Sequence, residues 1–211
     1  MDRDVPSNLV LPTHQAMFCA VACLGQATSI LILGSGSASI ERQLFSSFPH
    51  LSCVSVDASE QMIDLAKEYF LAPSDHEFIA LPAEDFLQSN SDKFDIVMVD
   101  LFARETMAQC LYEPRFYAAI SSSIHSHAIV ALNLIPQDQK DLLNVLLPLR
   151  KYFPNVWLSE IDNHSNIVLL ATLDMEFDIS NQIAGSIKDT ELFSFNLDLM
   201  AGKFTRLPMP Q

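Results

Sequence analysis

The chain has 211 residues, 49% of them hydrophobic and 18% charged, and its 12 Lys and Arg against 26 Asp and Glu give a net charge of −14. Length and apolar content describe one folded domain, or at most two small ones, and exclude a disordered chain. The acidity excludes a surface of clustered Lys and Arg for phosphate binding, so no nucleic-acid partner is expected; it suits a cationic partner better and is also an ordinary solubility device.

In chain order, the first apolar run is Ala16 to Leu24. It is far shorter than the ~20 residues of a spanning helix. The opening Met-Asp-Arg-Asp lacks the basic start of a signal peptide. The expectation is a cytoplasmic protein with no membrane partner, whose residues 1–28 form a segment and helix packing on a sheet. Ser29–Leu33 reads as the first strand and runs into Gly34-Ser35-Gly36-Ser37-Ala38-Ser39. Ile40, Leu44, Phe45 and Phe48 follow at helical spacing. Ser52–Asp57 is a second strand, with Ser59 as N-cap of a helix marked by Met62, Ile63, Leu65, Ala66, Tyr69 and Phe70. Glu77–Leu81 is a third strand. Phe94–Asp100 is a fourth, almost wholly apolar after Asp95, as strands covered on both faces of a parallel sheet are. His127–Asn133 is a fifth, followed by a helix from about Gln137 to Tyr152.

Val156–Ile161 and Asn166–Leu173 are also strand-like, and only Asp162-Asn-His-Ser165 separates them. A parallel pair needs a crossover of about a dozen residues, so these two must form an antiparallel hairpin. The rhythm predicts a doubly wound α/β domain over 29–174, with a mostly parallel seven-stranded sheet ending in that hairpin. Residues 175–211 lose the strand rhythm and read as a helical extension of the same domain.

Two features sit where α/β sheets bind ligands, at the carboxyl ends of strands. The glycine loop lets the backbone turn tightly and approach a ligand. Asp57, ending the next strand, can accept both hydroxyls of a ribose. Asp100 ends the fourth strand and can hold a cation or accept a proton from an amine. Residues 57–100 hold eleven acids against two bases, a net −9 of the total −14. Most of these acids read as a solvated face, though a negative crevice would also concentrate a cationic substrate. Cys19, Cys23, Cys53 and Cys110 form no Cys-x-x-Cys and read as buried thiols, and the six histidines show no zinc-like spacing, so no metal is expected.

Five parallel strands with an antiparallel end hairpin are the pattern of S-adenosylmethionine-dependent transferases. Within that class the chain resembles the spermidine/spermine synthase family over roughly Leu11 to Asp174. Leu11-Pro-Thr-His-Gln-Ala-Met17 is similar to the family's helix entry, and Ile30-Leu-Ile-Leu-Gly-Ser-Gly36 to its glycine motif. Val56-Asp57 with Leu65-Ala66 resembles the segment with the ribose-binding acid. Phe94-Asp-Ile-Val-Met-Val-Asp100 resembles the strand ending in the catalytic aspartate, and Leu111-Tyr-Glu-Pro-Arg-Phe-Tyr117 a family helix start.

The resemblance implies a donor site at Gly34, Ser35, Gly36, Ser37, Asp57, Ala58, Ala83, Glu84 and Asp85. It also implies Asp100 as base, with Tyr112 and Tyr117 orienting a small cationic amine. The donor would be S-adenosylmethionine or its decarboxylated form. The chain departs from the family pattern at Ser37, Pro82 and Ala103, where the family has acids, and at Ser126-His127, where it has glycines. With about 28 residues before the first strand, the resemblance is to a form without the family's N-terminal β-domain.

Three functions are consistent with these residues. They are aminopropyl transfer to an amine, methyl transfer to a small molecule, and a non-catalytic relative that serves assembly. A homodimer is expected, with Leu11–Leu24 and Phe193, Phe195, Leu197 and Leu199 as candidate surfaces.

Overall fold

A computed structural model describes residues 1–103, 106–179, 181–182 and 193–208. Two short helices open it, α1 (Pro12–Met17) and α2 (Cys19–Cys23). The alternation then follows as read: β1 (Ser29–Leu33), α3 (Ser39–Ser47), β2 (Ser52–Asp57), α4 (Glu60–Tyr69), β3 (Glu77–Ala80), α5 (Ala83–Ser89) and β4 (Phe94–Val99). A two-stranded ribbon, β5 (Phe102–Ala103) with β6 (Thr106–Met107), comes next. It leads through a 3₁₀ turn at Gln109–Tyr112 into α6 (Pro114–Ser122), β7 (Ile124–Leu134) and α7 (Gln139–Leu149). The chain closes with β8 (Asn155–Glu160), β9 (Ile167–Thr172), α8 (Leu197–Ala201) and β10 (Thr205–Arg206).

The sheet order is β10-β8-β9-β7-β4-β1-β2-β3. Strands β3, β2, β1, β4 and β7 run parallel. The predicted hairpin is present, with Asn155 opposite Thr172 and Glu160 opposite Ile167. Its second strand, β9, inserts between β7 and β8 and is antiparallel to both. The sheet has eight strands where seven were expected. Thr205 and Arg206 add the eighth along the outer edge of β8. Both are exposed, so no apolar alternation marks them in the sequence. Within the extension 175–211, residues 180, 183–192 and 209–211 lie outside the described residues.

Alternation along the central strands divides the core into two layers, as period-two side-chain placement requires. Ile30, Ile32, Ile96 and Met98 face α1, α2, α3 and the C-terminal residues. Leu31, Leu33, Val97 and Val99 face α5, α6 and α7. Phe193 is buried against Phe18 and Phe48, and Leu197 joins the same layer. Phe193 and Leu197, together with residues 16–23 of the other candidate surface, are therefore consumed inside the chain, where they close the layer over β1 and β4. Leu199 remains exposed. No helix among the described residues is long and apolar enough to cross a membrane.

Asp95 ties the two central strands together at their amino ends. Its Oδ2 accepts from the backbone N–H and hydroxyl of both Thr28 and Ser29, and its Oδ1 meets His127 Nε2 at 2.9 Å. Burial alone would raise this carboxyl, but the bonds from Thr28, His127 and Ser29 outweigh it and hold it down at about 2. The unfolded chain protonates Asp95 first as pH falls, so this stabilisation is present above about pH 4 and is lost toward pH 2. Discounted for solvent screening, it amounts to about 1–2 kcal/mol. Urea unfolding of wild type and Asp95→Asn should therefore differ by that amount at pH 6 and converge by pH 2. A gap that does not change with pH would show that the carboxylate charge contributes nothing.

Candidate functional site

Sheet order reverses between β1 and β4. From β1 the chain winds outward through β2 and β3, and from β4 it winds the other way through β7. A crevice opens beyond the carboxyl ends of the strands at such a reversal. Gly34 follows β1 there, and Asp100 follows β4 directly beside it. The Gly34 N–H donates to Val56 O and the Asp100 N–H to Leu33 O, each at 2.8 Å. Gly34 has φ +93°, and a Cβ on it would stand 2.3 Å from the Asp100 carbonyl oxygen. Only glycine permits this approach.

The loop closes back onto Asp57. The backbone N–H groups of Ser35 and Gly36 both donate to Asp57 Oδ2 at 3.1 Å, and Ser59 N–H donates to Oδ1 at 2.9 Å. The carboxylate expected to meet a ligand thus also shapes the glycine loop. Leu81 N–H donates to Asp57 O, which draws the start of α5 alongside. There Ala83 is buried, Glu84 half-buried and Asp85 exposed, while Ala58 is exposed next to Asp57. Ser37 Oγ lies 3.1 Å from Ser39 Oγ, and Ser37 O accepts from Arg42 Nη1. Arg42 also reaches Pro6 O and Phe70 O, so one guanidinium holds the loop to two neighbouring segments.

Asp100 is the centre of a polar chain that the sequence did not disclose. Its Oδ2 lies 3.1 Å from His14 Nε2, and its Oδ1 accepts from Asn133 Nδ2 at 2.8 Å. Asn133 Oδ1 in turn accepts from Asn166 Nδ2 at 2.9 Å. His14 Nδ1 is buried without a hydrogen-bond partner among the described residues. Parallel register sets Val99 opposite Leu132, so the next residues, Asp100 and Asn133, are lateral neighbours. Asn133 carried a readable signal, since it ends an apolar strand as Asp100 does. His14 carried none, being one of six scattered histidines brought in by the docking of α1.

The tyrosines are placed differently from each other. Tyr112 is half-buried at the end of the 3₁₀ turn, and its hydroxyl donates to Asp141 Oδ1 at 2.9 Å. Tyr117 is 0% exposed and its hydroxyl donates to Leu111 O, which sets it in the core under the site rather than facing the crevice. Its ring meets Phe116 edge-on, as a helix residue on the apolar face does. Among the described residues no three His, Cys, Asp or Glu side chains group as a metal site, and none of the four cysteines is in a disulfide.

Residues 11–161 match the family described as the spermine/spermidine synthase domain. A probable polyamine aminopropyl transferase from Bifidobacterium longum is 26% identical over 57% of this chain and 27% of its own length. An eEF1A lysine and N-terminal methyltransferase from Xenopus laevis is 23% identical over 88% of this chain and 30% of its own. The chain thus spans less than a third of the length of these two curated relatives. Human methyltransferase-like protein 13, solved in complex with SAH, superposes with a TM-score of 0.75 over 92% of this chain and 93% of that one, at 19% identity. That likeness establishes the fold, a mostly parallel α/β sheet with antiparallel end strands.

Proposed function

The chain belongs to the spermine/spermidine synthase domain family, and from that premise we propose that it is a transferase moving an aminopropyl group from decarboxylated S-adenosylmethionine to an amine. The observation that carries the reading is the Asp100 carboxylate at the switch point, fixed on one oxygen by His14 and on the other by Asn133. Such fixed groups need no reorganisation as charge moves during a reaction.

On the donor side, Asp57 accepts the two ribose hydroxyls, and Gly34, Ser35 and Gly36 lay their backbone against the nucleoside. A Cβ on Gly36 would meet nothing within 4 Å, so space for a ligand lies in front of it. Ala58, Ala83, Glu84 and Asp85 border the adenine end, and Ser37 the donor's tail. The donor supplies an electrophilic carbon on a sulfonium, with a neutral thioether as leaving group. Asp100 first holds the acceptor's ammonium and then takes its proton, which frees the nitrogen lone pair. The C–N bond forms as the C–S bond breaks, and the proton stays with the carboxylate until solvent removes it. A cavity of about 700 Å³ beside Asn166 is lined by Asp138, Glu160 and Asp162, the last of them paired with Lys203 Nζ at 2.8 Å. Its charge suits an acceptor with a second cationic centre, and Tyr112, at the end of the 3₁₀ turn, is held to α7 by its hydrogen bond to Asp141.

A second reading is methyl transfer from intact S-adenosylmethionine to an amine. It is favoured by the match to the Xenopus laevis methyltransferase, which extends over 88% of this chain, and by Ser37 and Ala103 standing where the aminopropyl-transferring pattern has acids. Incubation with each donor and putrescine, read by product mass, separates the two. An aminopropylated product supports the first reading and a methylated one the second. No product from either donor, on putrescine or on a lysine peptide, would leave the non-catalytic reading.

Asp57→Ala should weaken donor binding at least tenfold in calorimetry. It removes two charge-assisted hydrogen bonds of roughly 1.5–3 kcal/mol each, together with the acceptor that closes the Ser35 and Gly36 amides. Unchanged affinity would place the nucleoside elsewhere.

A further inference from the structure

Glu41 lies within electrostatic reach of His14, the residue that meets Asp100 Oδ2. It is on α3, faces β2 and is 1% exposed. Its Oε1 accepts from Ser55 Oγ at 2.8 Å, while Oε2 is buried with no hydrogen-bond partner among the described residues. No Lys, Arg or His among the described residues is within ion-pair distance of it. The adjacent Arg42 spends its guanidinium on the carbonyls of Pro6, Ser37 and Phe70 and on Ser39 Oγ. A carboxyl left this way either stays neutral or meets a cation from outside.

Glu41 also lines a cavity of about 300 Å³. The cavity opens at the amino ends of β2 and β3, away from the crevice at their carboxyl ends. Asp75 and Glu77 stand at its acidic, exposed mouth, and Leu44, Phe45 and Phe48 make an apolar wall. His76 Nε2 lies 2.8 Å from Ser55 Oγ. Burial, and then the nearby Lys67, hold this imidazole down at about 4, so it brings no positive charge at neutral pH. With Ser55 donating to Glu41, His76 donates to Ser55, and Oε2 is left without a donor from the described residues.

We propose that this cavity is a second binding site, for a primary ammonium group carried on a short apolar chain. The buried Glu41 Oε2 and the acidic mouth receive the ammonium, and Leu44, Phe45 and Phe48 cover the stem. An ammonium offers three donors to this single-sided acceptor. A metal ion is the poorer fit, because three ligating side chains do not converge there among the described residues.

Burial raises the Glu41 carboxyl to about 7, even though Ser55, His14 and Arg42 pull the other way. The groups around it are Arg42 on its own helix, His14 from α1, Cys53 and Ser55 from β2, and His76 before β3. Near pH 7 the carboxyl is partly protonated, so a bound ammonium must displace a proton from it.

Calorimetry of the full chain with n-butylamine, against 1-butanol as neutral isostere, tests the site. One equivalent of butylamine should bind, butanol should not, and the heat near pH 7 should vary with buffer ionisation enthalpy as the protonated fraction of Glu41 gives up its proton. Glu41→Gln should lower affinity at least tenfold and abolish the buffer dependence, while Asp100→Asn should change neither. Phe45→Ala, at an exposed wall position, should weaken butylamine more than methylamine and keeps the test open if Glu41→Gln does not fold. Binding that survives Glu41→Gln and disappears with Asp100→Asn would place the amine in the crevice and overturn the proposal. Absence of millimolar binding, or equal affinity for butanol, would overturn it too. None of these outcomes depends on turnover, so they leave the transferase reading to its own test.

Discussion

Gly34→Ala is expected to destabilise the fold by about 3–5 kcal/mol and to abolish donor binding with it. The residue sits at φ +93°, outside the region an L side chain adopts readily, and the added Cβ would stand 2.3 Å from Asp100 O and 2.9 Å from its carbonyl carbon. Both neighbours are backbone, so no flexible side chain can give way. Either the ends of β1 and β4 separate, breaking the 2.8 Å bonds from Gly34 N–H and Asp100 N–H, or the loop is rebuilt. Backbone strain of about 1–3 kcal/mol and overpacking of about 1–3 kcal/mol add here, because they arise at one atom. In thermal unfolding this is a drop of roughly 6–20 °C for a chain of this size. Gly36→Ala provides the contrast. It has φ +49° and nothing within 4 Å of a built Cβ, so its stability cost is only about 1–2 kcal/mol. Its effect should fall on donor affinity, where the methyl occupies ligand space. Equal melting temperatures for Gly34→Ala and wild type would show that the two strand ends are not locked together as described.

Asp100→Asn is expected to lower single-turnover rates by ~10²–10⁴-fold, the range for removal of a general base, with donor affinity changed less than about threefold. The amide keeps the shape of the carboxylate and one acceptor oxygen, so only one of the two partners, His14 or Asn133, can be met as before. One orientation sets an NH₂ against the Asn133 amide donor. The other requires His14 Nε2 to give up its proton to Nδ1, where no acceptor waits. Some loss of order around Asn133 and Asn166 therefore accompanies the loss of the base, and a crystal structure of the variant would display it. The measurement is a rapid single-turnover assay with putrescine and decarboxylated S-adenosylmethionine, repeated with the methyl donor. Equal rates in variant and wild type would eliminate Asp100 as the proton acceptor for that pair.

Much of the architecture is written in short-range pattern. The apolar runs of β1 and β4 declare central parallel strands, because both faces must be covered. The four residues between β8 and β9 admit only an antiparallel pair. Ser59, whose hydroxyl accepts from Met62 N–H at 3.2 Å, is the N-cap its sequence position indicates. Gly34, Asp57 and Asp100 are legible as small or acidic residues ending apolar strands; the fold brings the backbones of Gly34 and Asp100 into direct contact and seats the Asp57 carboxylate on the amides of Ser35 and Gly36. Tertiary structure alone decided the rest. The His14–Asp100 contact joins residues 86 apart and the Asn133–Asp100 contact residues 33 apart, and no periodicity of two or 3.6 residues reaches that far. β10 is two exposed residues held by the edge of β8, so its partner defines it rather than its composition. Tyr117 and Phe193 are aromatic residues equally suited to a site, a surface or a core, and packing of the two layers sent both inside. Glu41 was hidden for the opposite reason. A glutamate on a helix is ordinarily solvated, and only the docking of α3 on β2 buries its carboxyl beside Ser55, where desolvation gives it chemistry that the residue type does not announce.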